Sequence, residues 1–210
     1  MAVTEIFHIT HVSNLPRIIQ TGGLWSDADR LRLGLEVTNI GHSHIKERRL
    51  RTPLPASVAQ GTFVGQYVPF YCAPRSPMLY TINLGNVSGY EDGQRPVVHL
   101  VMQAEVFPAG ECVLSDGNAS DALTKFYAGH SALRTKVDWP LMTERFWNDT
   151  DEDGDRKRRR QAEFLVHKFV HWERTVAIGV IDSEMEKAVR VILNGQLHKP
   201  TVVVRGEWYY

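Results

Sequence analysis

Apolar and polar positions alternate over Thr4 to Thr10 (TEIFHIT) around β-branched and aromatic residues, which predicts a first strand. Ser13 or Asn14 is placed to cap a short helix over LPRIIQT, with Pro16 in its first turn, and Gly22-Gly23 stops it. From Leu24 to Asn39 no period is clean, so the stretch reads as a loop, a usual place for ligand contacts. Ser43 to Arg51 (SHIKERRLR) predicts a helix with Ile45 and Leu50 inward and its arginines outward. Thr52-Pro53-Leu54-Pro55 ends it by removing donors and restricting the residues before each proline. Gln66 to Cys72 (QYVPFYC) is rich in strand formers, and Pro69 within it demands an edge or a bulge.

Ala73 to Pro77 turns and Met78 to Leu84 predicts a short helix, while Pro96 to Glu105 (PVVHLVMQAE) is the best buried-strand pattern in the chain. Cys112 to Leu114 predicts another short strand. Ser115 to Arg160 shows no convincing strand and two helical pieces, Ser120 to Tyr127 and Trp139 to Trp147. A connection of that length inside a compact domain is usually functional. Gln161 to Phe169 (QAEFLVHKF) reads as one strand with Glu163 at its entry, and Thr175 to Ile181 as the next. Ser183 to Glu186 forms a capping box opening a helix to about Leu193, closed by Asn194-Gly195, and Thr201 to Val204 returns as a last strand. There is no internal repeat and no low-complexity linker. The sum is an α/β (α+β) chain, 1–210, read as a single domain, since domains cluster near roughly 100–200 residues.

Composition narrows the classes. The hydrophobic share of 43% and charged share of 23% are those of a globular protein and exclude wholesale disorder, collagen and coiled coil. No window approaches the ~18 apolar residues of a membrane span, and Met1 to Thr10 lacks a charged region followed by an apolar one, so the expectation is a cytoplasmic protein without a membrane partner. Two cysteines, Cys72 and Cys112, cannot build a disulfide framework or a four-cysteine zinc site. Lys plus Arg (24) balances Asp plus Glu (24). The basic residues nonetheless cluster at Lys46, Arg48, Arg49 and Arg51 and again from Arg156 to Arg160, and local clusters grip phosphate whatever the total charge.

Nine histidines raise a metal reading, particularly His8-x-x-His11, His42-x-His44 and His167-x-x-x-His171. None matches a specific ligand pattern, so the expectation is no metal. GxSxG, the Walker loop, GxGxxG after a strand and CxxC are all missing, which removes the familiar hydrolase, NTPase and dehydrogenase mechanisms. What remains is a constellation: His8-Ile9-Thr10 ending the first strand, an arginine-rich helix near Arg49, the aromatic block Tyr67 to Tyr71, and Glu163 opening a late strand.

Together with Asn14-Leu15, HIKERR at His44 to Arg49, PRSPMLY at Pro74 to Tyr80, QAEFLV at Gln161 to Val166 and the terminal Trp208-Tyr209-Tyr210, these motifs resemble the pyrophosphatase-fold ADP-ribosyltransferases. More narrowly, the chain is similar, in order and from residue 7 to its last, to the DarT family of DNA ADP-ribosyltransferase toxins. The resemblance implies a split mixed β-sheet with peripheral helices. It also implies cleavage of NAD, as co-substrate, at the nicotinamide glycosidic bond, with sequence-selective transfer of ADP-ribose to a base, thymine N3 in one branch, in single-stranded DNA. A cognate macrodomain antitoxin is the implied partner. By motif, Arg49 and Glu163 are the catalytic residues. His8, Ile9, Thr10, Arg17, Trp25, Arg49 and Tyr71 hold NAD, with Arg30 to Arg51 as the NAD-binding element. Arg75, Met78, Arg156, Arg158 and Arg159 are candidates for DNA contact, and Asp116 to Glu163 is the substrate-recognition loop.

Chemistry favours these residue types. Departing nicotinamide leaves an oxocarbenium-like ribose, which a fixed carboxylate stabilises. A guanidinium grips a diphosphate through a fork that lysine lacks. If the acceptor is thymine N3, its proton must leave, and two versions stay open: Arg49 stabilises the deprotonated base, or it accepts the proton in a desolvated site with Glu163 assisting. Unstacking is cheapest in single strands, so a single strand is the natural substrate. The run from Arg156 to Arg160 reads either as a DNA contact or as a solvated helix face offsetting Asp149 to Asp155. Competing readings are the same fold acting on guanine, RNA or protein, and a non-catalytic nucleic-acid-binding module that binds without consuming NAD.

Overall fold

The computed structural model describes residues 3–210. Ten strands run in chain order as β1 (Glu5–His11), β2 (Gly23–Trp25), β3 (Tyr67–Tyr71), β4 (Val97–Gln103), β5 (Cys112–Ser115), β6 (Phe126–Ala128), β7 (Glu163–His167), β8 (Phe169–His171), β9 (Ala177–Val180) and β10 (Thr201–Val204). Eight of them form one mixed sheet in the order β10-β9-β4-β1-β3-β7-β5-β6, and β2 pairs with β8 in a small second sheet. Only β9 and β10 are parallel; the other pairings are antiparallel.

Alternation decides which face each strand buries. Ile6, Phe70, Leu100, Met102, Leu114 and Phe164 fill one side, covered by helices Leu15–Gln20 and Ser183–Ile192 through Leu15, Ile18, Met185 and Val189. Ile9, Leu79, Ile82, Val97 and Tyr209 pack the other side, next to a third cluster around Val64, Val113 and Leu165.

The sheet has a seam. β1 pairs with β4 along its whole length, from Glu5 opposite Gln103 to His11 opposite Val97, but meets β3 only at Phe7 opposite Tyr71. Pro69 explains the opening. The N and C=O of one strand residue point to the same neighbour, and the Pro69 carbonyl accepts a 2.9 Å hydrogen bond from Nδ1 of His8 on β1. The donor that proline lacks is therefore missing on the β1 side, while β3 pairs with β7 over all five of its residues. Pro69 thus sits in an interior strand and not at the sheet edge, with an edge opened locally beside it.

Other expectations are corrected. Leu24 to Asn39 is not all loop: it holds most of β2 and helix Asp27–Arg32, capped by the Ser26 hydroxyl accepting from the Asp29 N–H. Ser120 to Tyr127 forms turns leading into β6 rather than a helix, and the helix at Trp139 stops at Thr143. The strand from Gln161 to Phe169 breaks at Lys168, whose φ of 62° is left-handed, so β7 and β8 join different sheets. Helix Ser183–Ile192 is capped by Asp182, which accepts from the Glu184 and Met185 N–H groups, and not by Ser183. Helix Ser43–Arg51 forms as expected, but Arg49 points inward and is its buried residue.

Candidate active site

A cavity of about 480 Å³ opens along the seam between β1 and β3, within the range of small-molecule sites. Its centre is an ion pair. Arg49 Nη1 donates to both carboxylate oxygens of Glu163, at 3.1 and 2.8 Å, from a helix to the first residue of β7. Glu163 Oε1 also accepts from the backbone N–H of Ala119 at 2.9 Å. The Glu163 N–H in turn donates to Ser115 Oγ, which donates to the Gly117 carbonyl. Both side chains are nearly sealed from solvent, at 9% and 5% exposure. Burial alone would pull the Arg49 guanidinium down, but Glu163 overrides it and holds the pKa above the ordinary arginine value. Its Nη2 is buried with no hydrogen-bond partner in the protein.

One wing of the cleft runs from β1 to β2. Burial lowers the His8 pKa against the opposing Pro69 hydrogen bond, so the ring is neutral. With Nδ1 donating to a carbonyl, Nε2 is left as an acceptor. Thr10 Oγ1 accepts from Asn14 Nδ2, which also donates to the Thr38 carbonyl, while the Thr38 N–H donates back to Asn14 Oδ1. Asn14 thereby ties the end of β1 to the segment over the cavity. Trp25 stands against Phe169 with ring centroids 4.3 Å apart, and its indole N–H is buried without a partner. Arg17 lies exposed on the cavity wall. Deeper, Asp27 lies 3.7 Å from Lys46 and 3.6 Å from Arg30. Burial lowers the Lys46 pKa, with Asp27 opposing.

The other wing is formed by Met78, Tyr80, Asn118, Trp147, Lys157 and Gln161. Tyr71, between the wings, has its phenol pushed upward by burial and by the neighbouring Glu163 charge, which keeps it protonated.

The cavity therefore brings together His8, Ile9, Thr10, Arg17, Trp25, Arg49, Tyr71, Met78 and Glu163. Arg75 sits beside it, its guanidinium 4.2 Å from the Tyr210 ring centroid. The basic run is placed differently. Arg156 binds Glu144 and the Phe146 and Asn148 carbonyls; Arg158 binds Asp116 and Asp155; Arg159 binds Asp138 and Asp153. These three guanidinium groups are engaged by their own chain, and from the run it is Lys157 that lines the cleft. Arg160 is buried, donating to the Met142 and Arg75 carbonyls. The sequence singles out none of Asn14, Asp27, Ser115 and Asn118 as an individual site residue, although Asn14 belongs to the motifs of the resemblance and Asn118 lies within the Asp116 to Glu163 loop. Nothing local marks them as site residues: what ties them to the cleft is the reach of Asn14 to Thr38, Asp27 to Lys46, Ser115 to Glu163 and Asn118 to Gln161. Among the described residues no group of three or more His, Cys, Asp or Glu side chains could hold a metal ion.

A split mixed sheet, with a buried carboxylate–guanidinium pair midway along a cleft lined by unpartnered donors, defines the class: an ADP-ribosyltransferase-type domain. The model of the family described as ssDNA thymidine ADP-ribosyltransferase, DarT, matches residues 7–210, and the chain belongs to that family. A DNA ADP-ribosyl transferase from Thermus aquaticus is 36% identical over 211 residues, covering 99% of this chain and 89% of the relative. Its counterpart from Mycobacterium tuberculosis is 36% identical over 98% of this chain and 88% of its own length. Among solved structures, Thermus sp. 2.9 DarT in complex with ADP-ribosylated ssDNA aligns with a TM-score of 0.89 at 34% identity, covering 99% of this chain and 96% of that one. The same protein in complex with NAD+ aligns at 0.82 and 32%, covering 99% and 98%.

Proposed function

We propose that this chain cleaves NAD and transfers ADP-ribose to thymine N3 in single-stranded DNA, as the toxin of a toxin–antitoxin pair in the cytoplasm. The observation that carries this reading is the Glu163 carboxylate, held by Arg49 and the Ala119 N–H at the midpoint of the cleft. The buried donors without protein partners, Trp25 Nε1, Arg30 Nε and Arg49 Nη2, are what a polar ligand such as NAD would satisfy. His8 and Thr10 hold its nicotinamide and ribose, and Arg17 and Trp25, which line the same cavity, make further contacts to it.

As the bond from the anomeric carbon to the pyridinium nitrogen breaks, its electron pair leaves with neutral nicotinamide. Positive charge then develops on the sugar, and the preorganised Glu163 anion lowers the energy of that state. The acceptor nitrogen attacks the anomeric carbon and gives up its proton. Arg49, with its pKa raised by Glu163, stays a cation and stabilises the deprotonated base. In this reading Glu163, rather than Arg49, takes the proton. An intact buried ion pair at this point argues against a decayed binding module.

A Thermosipho africanus relative, 26% identical, is a fusion of a DNA ADP-ribosyl transferase with a DNA ADP-ribosyl glycohydrolase. That supports a macrodomain partner that reverses the modification. Mass spectrometry of single-stranded oligonucleotides incubated with NAD tests the reading. Strands containing thymine gain the mass of one ADP-ribose on the base, and strands without it do not. Labelling of guanine-only strands, RNA or protein in place of thymine would overturn the acceptor assignment.

A further inference from the structure

Residues 116–125 join β5 to β6 in a hairpin loop well beyond the usual roughly two to five residues, and the loop closes back on itself. The Asp116 N–H donates to the Lys125 carbonyl at 3.1 Å, and Asp116 Oδ1 accepts from the Lys125 N–H at 2.9 Å, which pinches the base of the loop. Above that base the Asn118 carbonyl accepts from Thr124 Oγ1 and from the Asp121 N–H, and Asn118 Oδ1 accepts from the Ser120 N–H. Ala119 sits among these bonds. Its side chain is buried in the apolar cluster of Val113 and Leu165, and its N–H donates to Glu163 Oε1 at 2.9 Å.

Two further contacts brace the loop against the sheet. Ser115, opposite Glu163 in the β5–β7 register, accepts from the Glu163 N–H at 3.2 Å through its hydroxyl and donates to the Gly117 carbonyl at 2.8 Å. From the other side, Arg158 donates through Nη1 to Asp116 Oδ1 at 2.7 Å, while its Nε and Nη2 hold Asp155 at 2.7 Å each. The backbone at Gly117 passes so near this guanidinium that a Cβ there would lie 2.8 Å from Nη1. All three guanidinium nitrogens of Arg158 therefore donate within the protein. Partly exposed ion pairs add little stability, so the consequence of this one is geometric: it fixes Asp116, and with it the loop.

A carboxylate that must meet a charge appearing only in the transition state gains from being held in place beforehand. Arg49 reaches Glu163 on a long side chain from a helix, so the two can shift together. A backbone N–H set in a braced loop cannot follow them. We propose that Arg158 and Asp116 are positioning residues for the transfer: their pair fixes the loop at 116–125, and the Ala119 N–H of that loop fixes the Glu163 carboxylate. The inference rests on the proposed function, which gives Glu163 its role.

Steady-state transfer kinetics of Asp116→Ala, Asp116→Asn and Arg158→Met test it, at a temperature well below the melting midpoint of each. Both altered side chains are 17% exposed, so the fold tolerates their loss, and thermal melting confirms it. In Asp116→Ala and Arg158→Met, kcat falls roughly ten- to hundredfold while KM for NAD and for the strand stays within about twofold, because an interaction felt only at the reacting centre leaves ground-state binding alone. Asp116→Asn, which keeps an oxygen for Arg158 and for the Lys125 N–H, restores most of kcat. A merely structural role would lower the melting midpoint and leave kcat unchanged, and that result overturns the assignment. So does a raised KM for the strand at unchanged kcat, which would make Arg158 a DNA contact, or an Asp116→Asn as slow as Asp116→Ala. A wild type that transfers no ADP-ribose refutes the proposed function; with transfer intact, unchanged kcat in the variants refutes the positioning alone.

Discussion

Replacing Glu163 by glutamine separates the charge of this side chain from its shape. Glutamine keeps the length and an oxygen for the Ala119 N–H, now held by Oε1 at 2.9 Å. It removes the anion, with two consequences. The developing sugar cation loses a preorganised charge, a type of contribution worth about 2.7–4 kcal/mol, and the acceptor nitrogen loses the base that takes its proton, so kcat for ADP-ribose transfer falls by at least roughly 10²- to 10³-fold. Arg49, 7% exposed, is left as a buried cation without its counter-ion. Breaking a buried pair from one side costs about 3–5 kcal/mol. Because glutamine still accepts a hydrogen bond, the lower end applies, about 3 kcal/mol, which in a chain of this size lowers Tm by roughly 6–12 °C. Replacing both partners with apolar residues, Arg49→Met with Glu163→Leu, removes the unpaired charge and recovers most of the Tm while activity stays lost. Calorimetry and single-turnover assays on an NAD-loaded enzyme with a thymine strand read both effects. Turnover of Glu163→Gln within a few-fold of wild type would refute the electrostatic role, and an unchanged Tm would refute the coupling of the buried charges.

The buried ring of His99, bonded to the Pro74 carbonyl and Tyr209, has its pKa lowered by burial to about 4. The unfolded chain, at about 6.5, binds the proton first, so stability is full above pH 6.5 and falls by about 3 kcal/mol down to pH 4; His99→Gln flattens Tm against pH across that window. A Cβ on Gly23, whose φ is +154°, would lie 2.0 Å from the Val170 carbonyl oxygen. Gly23→Ala therefore pushes β2 off β8, moves Trp25 from Phe169 and raises KM for NAD roughly two- to tenfold, by loss of one aromatic pair, in steady-state assays. Arg159 holds Asp138 and Asp153 at 3.0 and 2.7 Å. Arg159→Met loosens the loop before β7 by about 1 kcal/mol, seen as roughly fivefold faster cleavage there in limited proteolysis.

Strongly periodic or continuous apolar segments were legible in the sequence. β1, β4, β9, β10 and helices Ser43–Arg51 and Ser183–Ile192 lie within a residue or two of where their patterns put them. Elements whose partners are distant were not. β2 is three residues long and exists because it pairs with β8, more than 140 positions on; nothing local to Gly23, Leu24 and Trp25 encodes that. Helix Asp27–Arg32 carries a cap but no apolar stripe, as Leu31 is 56% exposed, so period alone missed it. The helix pattern points Arg49 outward because an arginine on a charged helix normally faces solvent. Its inward turn depends on Glu163, 114 residues away. The acidic offset of the basic run was visible in Asp149 to Asp155, but not the reach of Arg158 and Arg159 to Asp116 and Asp138.

The seam shows how a local rule generates the site. Proline in an interior strand is normally excluded because it leaves a neighbour's carbonyl without a donor. Here the loss falls where β1 and β3 separate, and the His8 ring supplies a donor to the Pro69 carbonyl. That bond fixes the tautomer of His8 and leaves its other nitrogen as an acceptor, so the rung missing from the sheet frees a ring nitrogen on a side chain that lines the cavity. On the far side β3 keeps full pairing with β7, and Tyr71 opposite Glu163 anchors the carboxylate to the rigid half of the sheet. The cleft is consequently open along one strand edge and stiff along the next. Such a geometry leaves a cavity between strands while the Glu163 charge stays fixed, which is what its proposed role at the anomeric carbon of NAD requires.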